Sequence, residues 1–294
     1  LKHLISVGIM LAALQALAAR PVVLVTDCGN WFDDQMAIIY LLISPDIELK
    51  GIIASQYGTP DGPLLAAKSI HNVLQSLGRE KTPVWLGATA PLGTDRKPIR
   101  SEGALNLADL ARKGQVNVLC ISAATDVASA ILLCGTAASN IRVTWVGGGP
   151  LPKGGRGDHN LANDVWAANV LFDSLAEMFW IPAVGSADAI QLTSQEIRER
   201  FGSFGRAGKA LVSATEGIGR EPATLWDLSA IGIFLYPGNG VTERVPAPSF
   251  NADYQIATEK GAKQVITYTQ VRVERLLKRF ADDLKAWARR PGEG

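Results

Sequence analysis

The sequence is short of charge. Charged residues make up 19% of its 294 positions, hydrophobic residues 47%, and the formal net charge is +1. That balance, with no Lys/Arg cluster beyond a pair, lacks the electrostatic footprint of a nucleic-acid or anionic-membrane binder. Cysteine is scarce too. Cys28, Cys120 and Cys134 show no metal spacing, and their odd number excludes complete internal pairing, so there is no disulfide framework. Apolar neighbours make Cys120 and Cys134 read as buried free thiols, although an oxidising compartment would let them pair. Linkers, repeats and low-complexity stretches are missing, and past residue 19 no apolar run is long enough to cross a bilayer.

The first nineteen residues differ. Lys2 and His3 precede "LISVGIMLAALQALAA", which ends in small residues with Ala16 and Ala18 in an A-x-A arrangement. This reads as a secretory signal peptide over 1–19, against a buried helix or a membrane anchor. It predicts a periplasmic or secreted protein, free of the membrane once the signal is removed, with one domain over 20–294.

Short apolar runs then alternate with amphipathic segments. "VVLVT", "LKGIIAS", "PVWLG", "VNVLCIS", "RVTWVGG" and "MFWIPAV" read as strands. Helical patterns lie over Asp34–Ser44, Pro63–Leu77, Ala104–Arg112, Asp126–Leu133 and Asp164–Asp173. Beyond Gln195 the chain turns helical, returns to strand-like "ADYQIATE" and "QVITYTQ", and closes with a basic amphipathic helix over Val271–Arg290. The pattern predicts an α/β fold, a mainly parallel central β-sheet flanked by helices with a helical C-terminal part. Ligands of such sheets bind beyond the carboxyl ends of the strands, so residues there are the candidates.

Asp27 ends the first strand, and Asp33 and Asp34 open the next helix in "VTDCGNWFDDQMAII". One carboxylate at a helix N-terminus needs no function. Three brought together would raise one another's pKa unless a cation compensates, and an all-oxygen set suits Ca²⁺ or Mg²⁺. Capping and metal binding both fit the residues. Thr125 and Asp126 in "SAATDVA", and Asp227 in "TLWDLSAIG", read alone as helix caps. Asp158 and Asn160 in "GGRGDHN" suit the hydroxyls of a polyol.

Together these fragments resemble the nucleoside hydrolase superfamily, in particular its divergent nucleoside-hydrolase-like branch. The family's D-T-D-P-G-x-D-D opening appears as "VTDCGNWFDD", two residues longer. Its G-P-L-T-N turn appears as "SAATDVA", its Met-Gly-Gly turn as "WVGGGP", its E-F-N-x₃-D segment as "DHNLAND", and its H-D-P-L-A-V-A segment as "WDLSAIG". The resemblance implies a Ca²⁺ site made by Asp27, Asp34, the main-chain carbonyl of Thr125 and Asp227. It places Asp33, Asp158, Asn160 and Gln56 against the ribose. It implies hydrolysis of an N-glycosidic bond, with Asp27 as general base on a water acidified by Ca²⁺ and carboxylates stabilising an oxocarbenium-like sugar. Family members commonly form homo-oligomers.

The departures fall on the leaving-group side. Val25 replaces the motif's first Asp, Trp226 stands where purine-active members have His, and Glu102 occupies the loop that usually carries His-Gly. His159 is the one nearby candidate acid, whereas His71 sits on a helix. Trp31 and Trp226 could stack on a ring. The expected substrate is therefore a small-molecule ribonucleoside or related ribosyl compound. The alternatives are another sugar derivative, or a secreted sugar- or glycan-binding protein without turnover.

Overall fold

The computed structural model describes residues 19–150, 158–216 and 219–293. Apart from Ala19, the predicted signal peptide lies outside them. Eight strands form one sheet in the order β3–β2–β1–β4–β5–β6–β10–β9. These are β1 (Arg20–Thr26), β2 (Ile47–Ala54), β3 (Val84–Leu86), β4 (Val116–Cys120), β5 (Ile141–Val146), β6 (Glu177–Ile181), β9 (Gly240–Phe250) and β10 (Ile256–Val271). All neighbours pair parallel except β9 with β10. A second, two-stranded sheet pairs β7 (Gln191–Leu192) with β8 (Ala223–Thr224).

The apolar run of β1 follows from burial on both faces. Val22 and Leu24 enter one core and Val23 and Val25 the other, so alternation with polar residues has no place there. The first core packs under α1 (Asp33–Ile43), α2 (Gly62–Ser76), α7 (Ser194–Phe201), α8 (Gly205–Ala214), α9 (Trp226–Leu235) and α10 (Val273–Ala288). The second packs under α3 (Glu102–Lys113), α4 (Thr125–Cys134) and α6 (Val165–Asp173), with the short α5 (His159–Asn163) before α6. All three cysteines are buried free thiols. No helix among the described residues is long and apolar enough to cross a membrane.

Two elements depart from the sequence expectation. "GVTERVPAPSF" forms β9, which its two prolines and its charges disguised. Proline is tolerated there because β9 is the outer strand, with one row of main-chain groups unpaired by the sheet. "ADYQIATE" and "QVITYTQ" belong largely to the single strand β10.

Candidate active site

Where β1 ends, Gly29 shapes the turn. It adopts φ +104°, and a Cβ there would lie 2.4 Å from Ser69 Oγ, so both conformation and space call for glycine. Phe32 is the N-cap of α1 and gives no side-chain cap. Asp33 and Asp34 in the first turn therefore find other partners. Asp34 accepts the Thr26 hydroxyl, and Asp33 Oδ2 accepts the main-chain N–H of Asp227 at 3.1 Å. The capping readings of Asp227 and Thr125 are corrected as well. Leu225 and Ala124 hold the N-cap positions of α9 and α4, and neither helix has a side-chain cap bond.

One carboxylate oxygen from each of Asp33, Asp34 and Asp227 lies within 4.8 Å of the others, and all three residues are buried. Burial first, and then the charge of neighbouring carboxylates, pushes Asp33 up to about 7 and holds Asp34 and Asp227 well above the usual carboxylate range. The same burial, reinforced by the carboxylates, raises the Cys28 thiol well above its ordinary value. Among the described residues that line the cleft beside this cluster there is no Lys or Arg. Hard oxygen donors packed together, with no Lys or Arg among the described lining residues, fit a Ca²⁺- or Mg²⁺-type ion, so the residues present suit the metal that the resemblance implies.

The cluster borders a cleft of about 280 Å³ beyond the carboxyl ends of the strands. Asp27 joins it from the β1 turn, and its Oδ2 lies 3.2 Å from His159 Nε2 and 3.5 Å from Asn30 Nδ2. His159 Nε2 is also 2.9 Å from the side-chain amides of both Asn30 and Asn163. The hydrogen bond to Asp27 raises the His159 pKa above its ordinary value, against partial burial. The imidazole thus sits against the buried carboxylate.

Asp158 and Asn160 face the same cleft, but much of their bonding capacity is already used. Asp158 caps α5, its Oδ1 accepting the N–H groups of Asn160 (3.1 Å) and Leu161 (3.3 Å), while its Oδ2 accepts Gly148 N–H at 2.5 Å. That last bond depends on Gly148 turning its amide inward at φ +66°. Asn160 donates Nδ2 to the Val146 carbonyl at 2.9 Å, and its Oδ1 has no hydrogen bond among the described residues. Trp226 lines the cleft opposite, with Trp31, whose indole N–H donates to the Thr224 carbonyl at 3.3 Å. Val146, Ala183 and Val184 complete an apolar wall.

Gln56 and Thr125 do not line the cleft. Gln56 Nε2 lies 3.4 Å from Thr125 Oγ1, and its Oε1 accepts Gly58 N–H at 2.6 Å. Glu102 is likewise elsewhere, accepting Leu86 N–H at 3.1 Å, and His71 is exposed on α2. Asn30, Asn163, Ala183 and Val184 were missed as site residues. Ala183 and Val184 follow directly after β6, so the rule of looking past strand ends applied to them as well.

A family model described as inosine-uridine preferring nucleoside hydrolase matches residues 22–279. Among solved structures, the chain is similar to a plant nucleoside hydrolase, PpNRh1 (TM-score 0.75, 19% identity, 91% of this chain and 99% of that one). It is similar to a purine-preferring ribonucleoside hydrolase from Gardnerella vaginalis (TM-score 0.71, 18% identity, 92% and 99%). It also resembles an inosine-uridine preferring nucleoside hydrolase from Bacillus anthracis (TM-score 0.69, 16% identity, 90% and 99%). At these identities the structures speak for the fold alone. No curated protein matches the chain. With the family model spanning nearly the whole of the described sheet, the chain belongs to the inosine-uridine preferring nucleoside hydrolase family, whose members are hydrolases of N-glycosidic bonds.

Proposed function

We propose that this hydrolase cleaves the N-glycosidic bond of a ribonucleoside or related ribosyl compound, with Ca²⁺ held by Asp27, Asp34, the Thr125 carbonyl and Asp227. The observation that carries the reading is the convergence of four buried aspartates, one from the β1 turn and three from two helix starts distant in sequence, on one cleft with no Lys or Arg among its described lining residues. The three carboxylates within 4.8 Å of one another are those of Asp33, Asp34 and Asp227, which supports a share of the ion for Asp33 beside its role toward a hydroxyl. When bound, Ca²⁺ supplies the positive charge that lets these carboxylates coexist ionised and that polarises oxygen ligands beside them.

The chain's own residues divide the remaining work. Asp27 takes the proton of the attacking water. Asn160 Oδ1 and Asp33 accept hydroxyls of the ribose, and Asp158 holds the loop that presents Asn160. Negative charge around the sugar stabilises its oxocarbenium-like transition state. Trp31, Trp226 and the apolar wall receive the leaving group, a surface suited to a planar heterocycle, and His159 is placed to protonate it. The apolar leader supports a periplasmic or secreted location.

The test is a panel of purine and pyrimidine nucleosides offered to the purified protein with Ca²⁺, scored by reducing-sugar release. Release that disappears on chelation and returns with Ca²⁺ supports the reading. Sugar-induced thermal stabilisation without release from any nucleoside would contradict it.

A further inference from the structure

Asp164 is buried, at 3% exposure, and lies outside the cleft lining, yet it bonds to three separate segments. Its Oδ1 accepts the N–H of Ala167 at the start of α6 at 2.9 Å. Its Oδ2 accepts both the N–H of Leu92 and the hydroxyl of Thr125, each at 2.7 Å. A helix cap needs only the first of these bonds. The other two reach the loop 87–101, between β3 and α3, and the turn that joins β4 to α4.

The carbonyl and amide groups of that turn are bonded elsewhere, Ile121 N–H to the Val25 carbonyl at 2.9 Å and the Ser122 carbonyl to the Trp145 indole N–H at 3.2 Å, but its Thr125 side chain depends on Asp164. Helix α4 has no side-chain N-cap, and the Thr125 hydroxyl has one further neighbour, Gln56 Nε2 at 3.4 Å. The loop is fastened to α4 by Asp126 Oδ1, which accepts Ala88 N–H at 2.9 Å and the Ser101 hydroxyl at 2.5 Å. Ser129 Oγ adds a bond from Ile99 N–H at 3.0 Å. Asp164 joins this assembly to α6, as the exposed Arg96–Asp173 ion pair at 2.9 Å also does, and of the two Asp164 is the one that holds Thr125. A bond from a hydroxyl to a buried carboxylate is among the stronger kinds available.

We propose that Asp164 is a positioning residue which, by holding the Thr125 hydroxyl, fixes the β4–α4 turn and sets how tightly the acidic cluster binds its cation. The inference rests on the Ca²⁺ reading above, in which Thr125 contributes its carbonyl. Partners one layer behind a metal's ligands characteristically alter its affinity by about 10–100-fold when removed.

The experiment is calorimetric Ca²⁺ titration of the full chain in wild type, Asp164→Asn, Thr125→Val, their double variant and Thr125→Ser. Asn at 164 keeps an oxygen for the α6 cap but puts an amide nitrogen in the place of Oδ2, where it accepts from neither Leu92 nor Thr125. The expected result is a Ca²⁺ affinity about 10–100-fold weaker in each of the first two variants. The double variant should lose no more than either alone, and Thr125→Ser, which keeps the hydroxyl, should bind like wild type. A lower melting temperature with unchanged Ca²⁺ affinity in Asp164→Asn would reduce the residue to a structural cap and overturn the proposal. Should that variant fail to fold, unchanged affinity in Thr125→Val would overturn it equally. A wild type that binds no Ca²⁺ would sink the metal reading and this inference with it, whereas wild-type binding with indifferent variants would sink this inference alone.

Discussion

Asp33 accepts, through Oδ2, the main-chain N–H of Asp227 at 3.1 Å, joining the first turns of α1 and α9 across 194 residues of sequence. The bond brings a third carboxylate, that of Asp227, to a site where two already stand side by side. It stabilises the ionised form of Asp33, yet burial outweighs it, and the group remains pushed up to about 7. Such a site is costly to fold without a counter-ion.

Chelation should therefore destabilise the protein. At free Ca²⁺ about 100-fold above Kd, the ion contributes about 2.7 kcal/mol, and for a chain of this size each kcal/mol moves Tm by about 2–4 °C. Thermal unfolding with and without a Ca²⁺ chelator should differ by about 5–10 °C. Identical melting curves would remove the metal from the account.

His159 lies 3.2 Å from Asp27 and is held above its ordinary pKa by that hydrogen bond. His159→Phe should lower kcat about 100-fold on nucleosides whose base must be protonated as it departs. On p-nitrophenyl riboside, whose leaving group departs as a stable anion, kcat should be nearly unaffected. An equal loss on both substrates would assign His159 to the sugar side instead.

Trp31 should contribute binding energy rather than chemistry. Aromatic contacts of this kind are worth about 0.5–1.5 kcal/mol, so Trp31→Ala should raise KM up to about tenfold with kcat little changed. The measurement is steady-state kinetics on one purine and one pyrimidine nucleoside. A fall in kcat at unchanged KM would contradict the stacking role.

At Gly29, alanine would face both φ +104° and Ser69 Oγ at 2.4 Å from its new Cβ. The strained backbone alone should cost about 1–3 kcal/mol in chemical denaturation. Combining it with Ser69→Ala should recover the steric part and leave the conformational part.

Away from the site, Asp283 on α10 accepts the Tyr236 hydroxyl at 2.8 Å and the Tyr40 hydroxyl at 3.2 Å. Burial first, with help from this carboxylate, pushes Tyr236 up to about 12 and raises Tyr40 as well. A folded-state pKa above the unfolded value of about 10 means the stabilisation is complete below pH 10. It is lost as the pH rises through about 12. Urea midpoints should hold level up to about pH 10 and then fall. Tyr236→Phe should show a shallower decline.

Much of this architecture was legible because local pattern and burial agree. "RPVVLV" had to be a strand covered on both faces, and the aspartates after it had to lie at the sheet's ligand-binding end. Strand β9 was illegible because Pro246, Pro248 and the charges of "TERV" suit an outer strand but look like a loop. Thr125 read as a cap because its partner, Asp164, is 39 residues away and no local pattern announces the bond. Asp158 illustrates the reverse case. Its place at the cleft was predictable from the resemblance, but not that Gly148, Asn160 and Leu161 would occupy both its oxygens.

The central claim, that Asp27 takes the proton from the water that replaces the base, is tested most directly by one comparison. Ribose release from inosine and uridine should be followed for wild type and Asp27→Asn, each with saturating Ca²⁺. The account predicts steady release by wild type on at least one of the two, and a rate about 100- to 10,000-fold lower in the variant. Equal rates in the two proteins would contradict it.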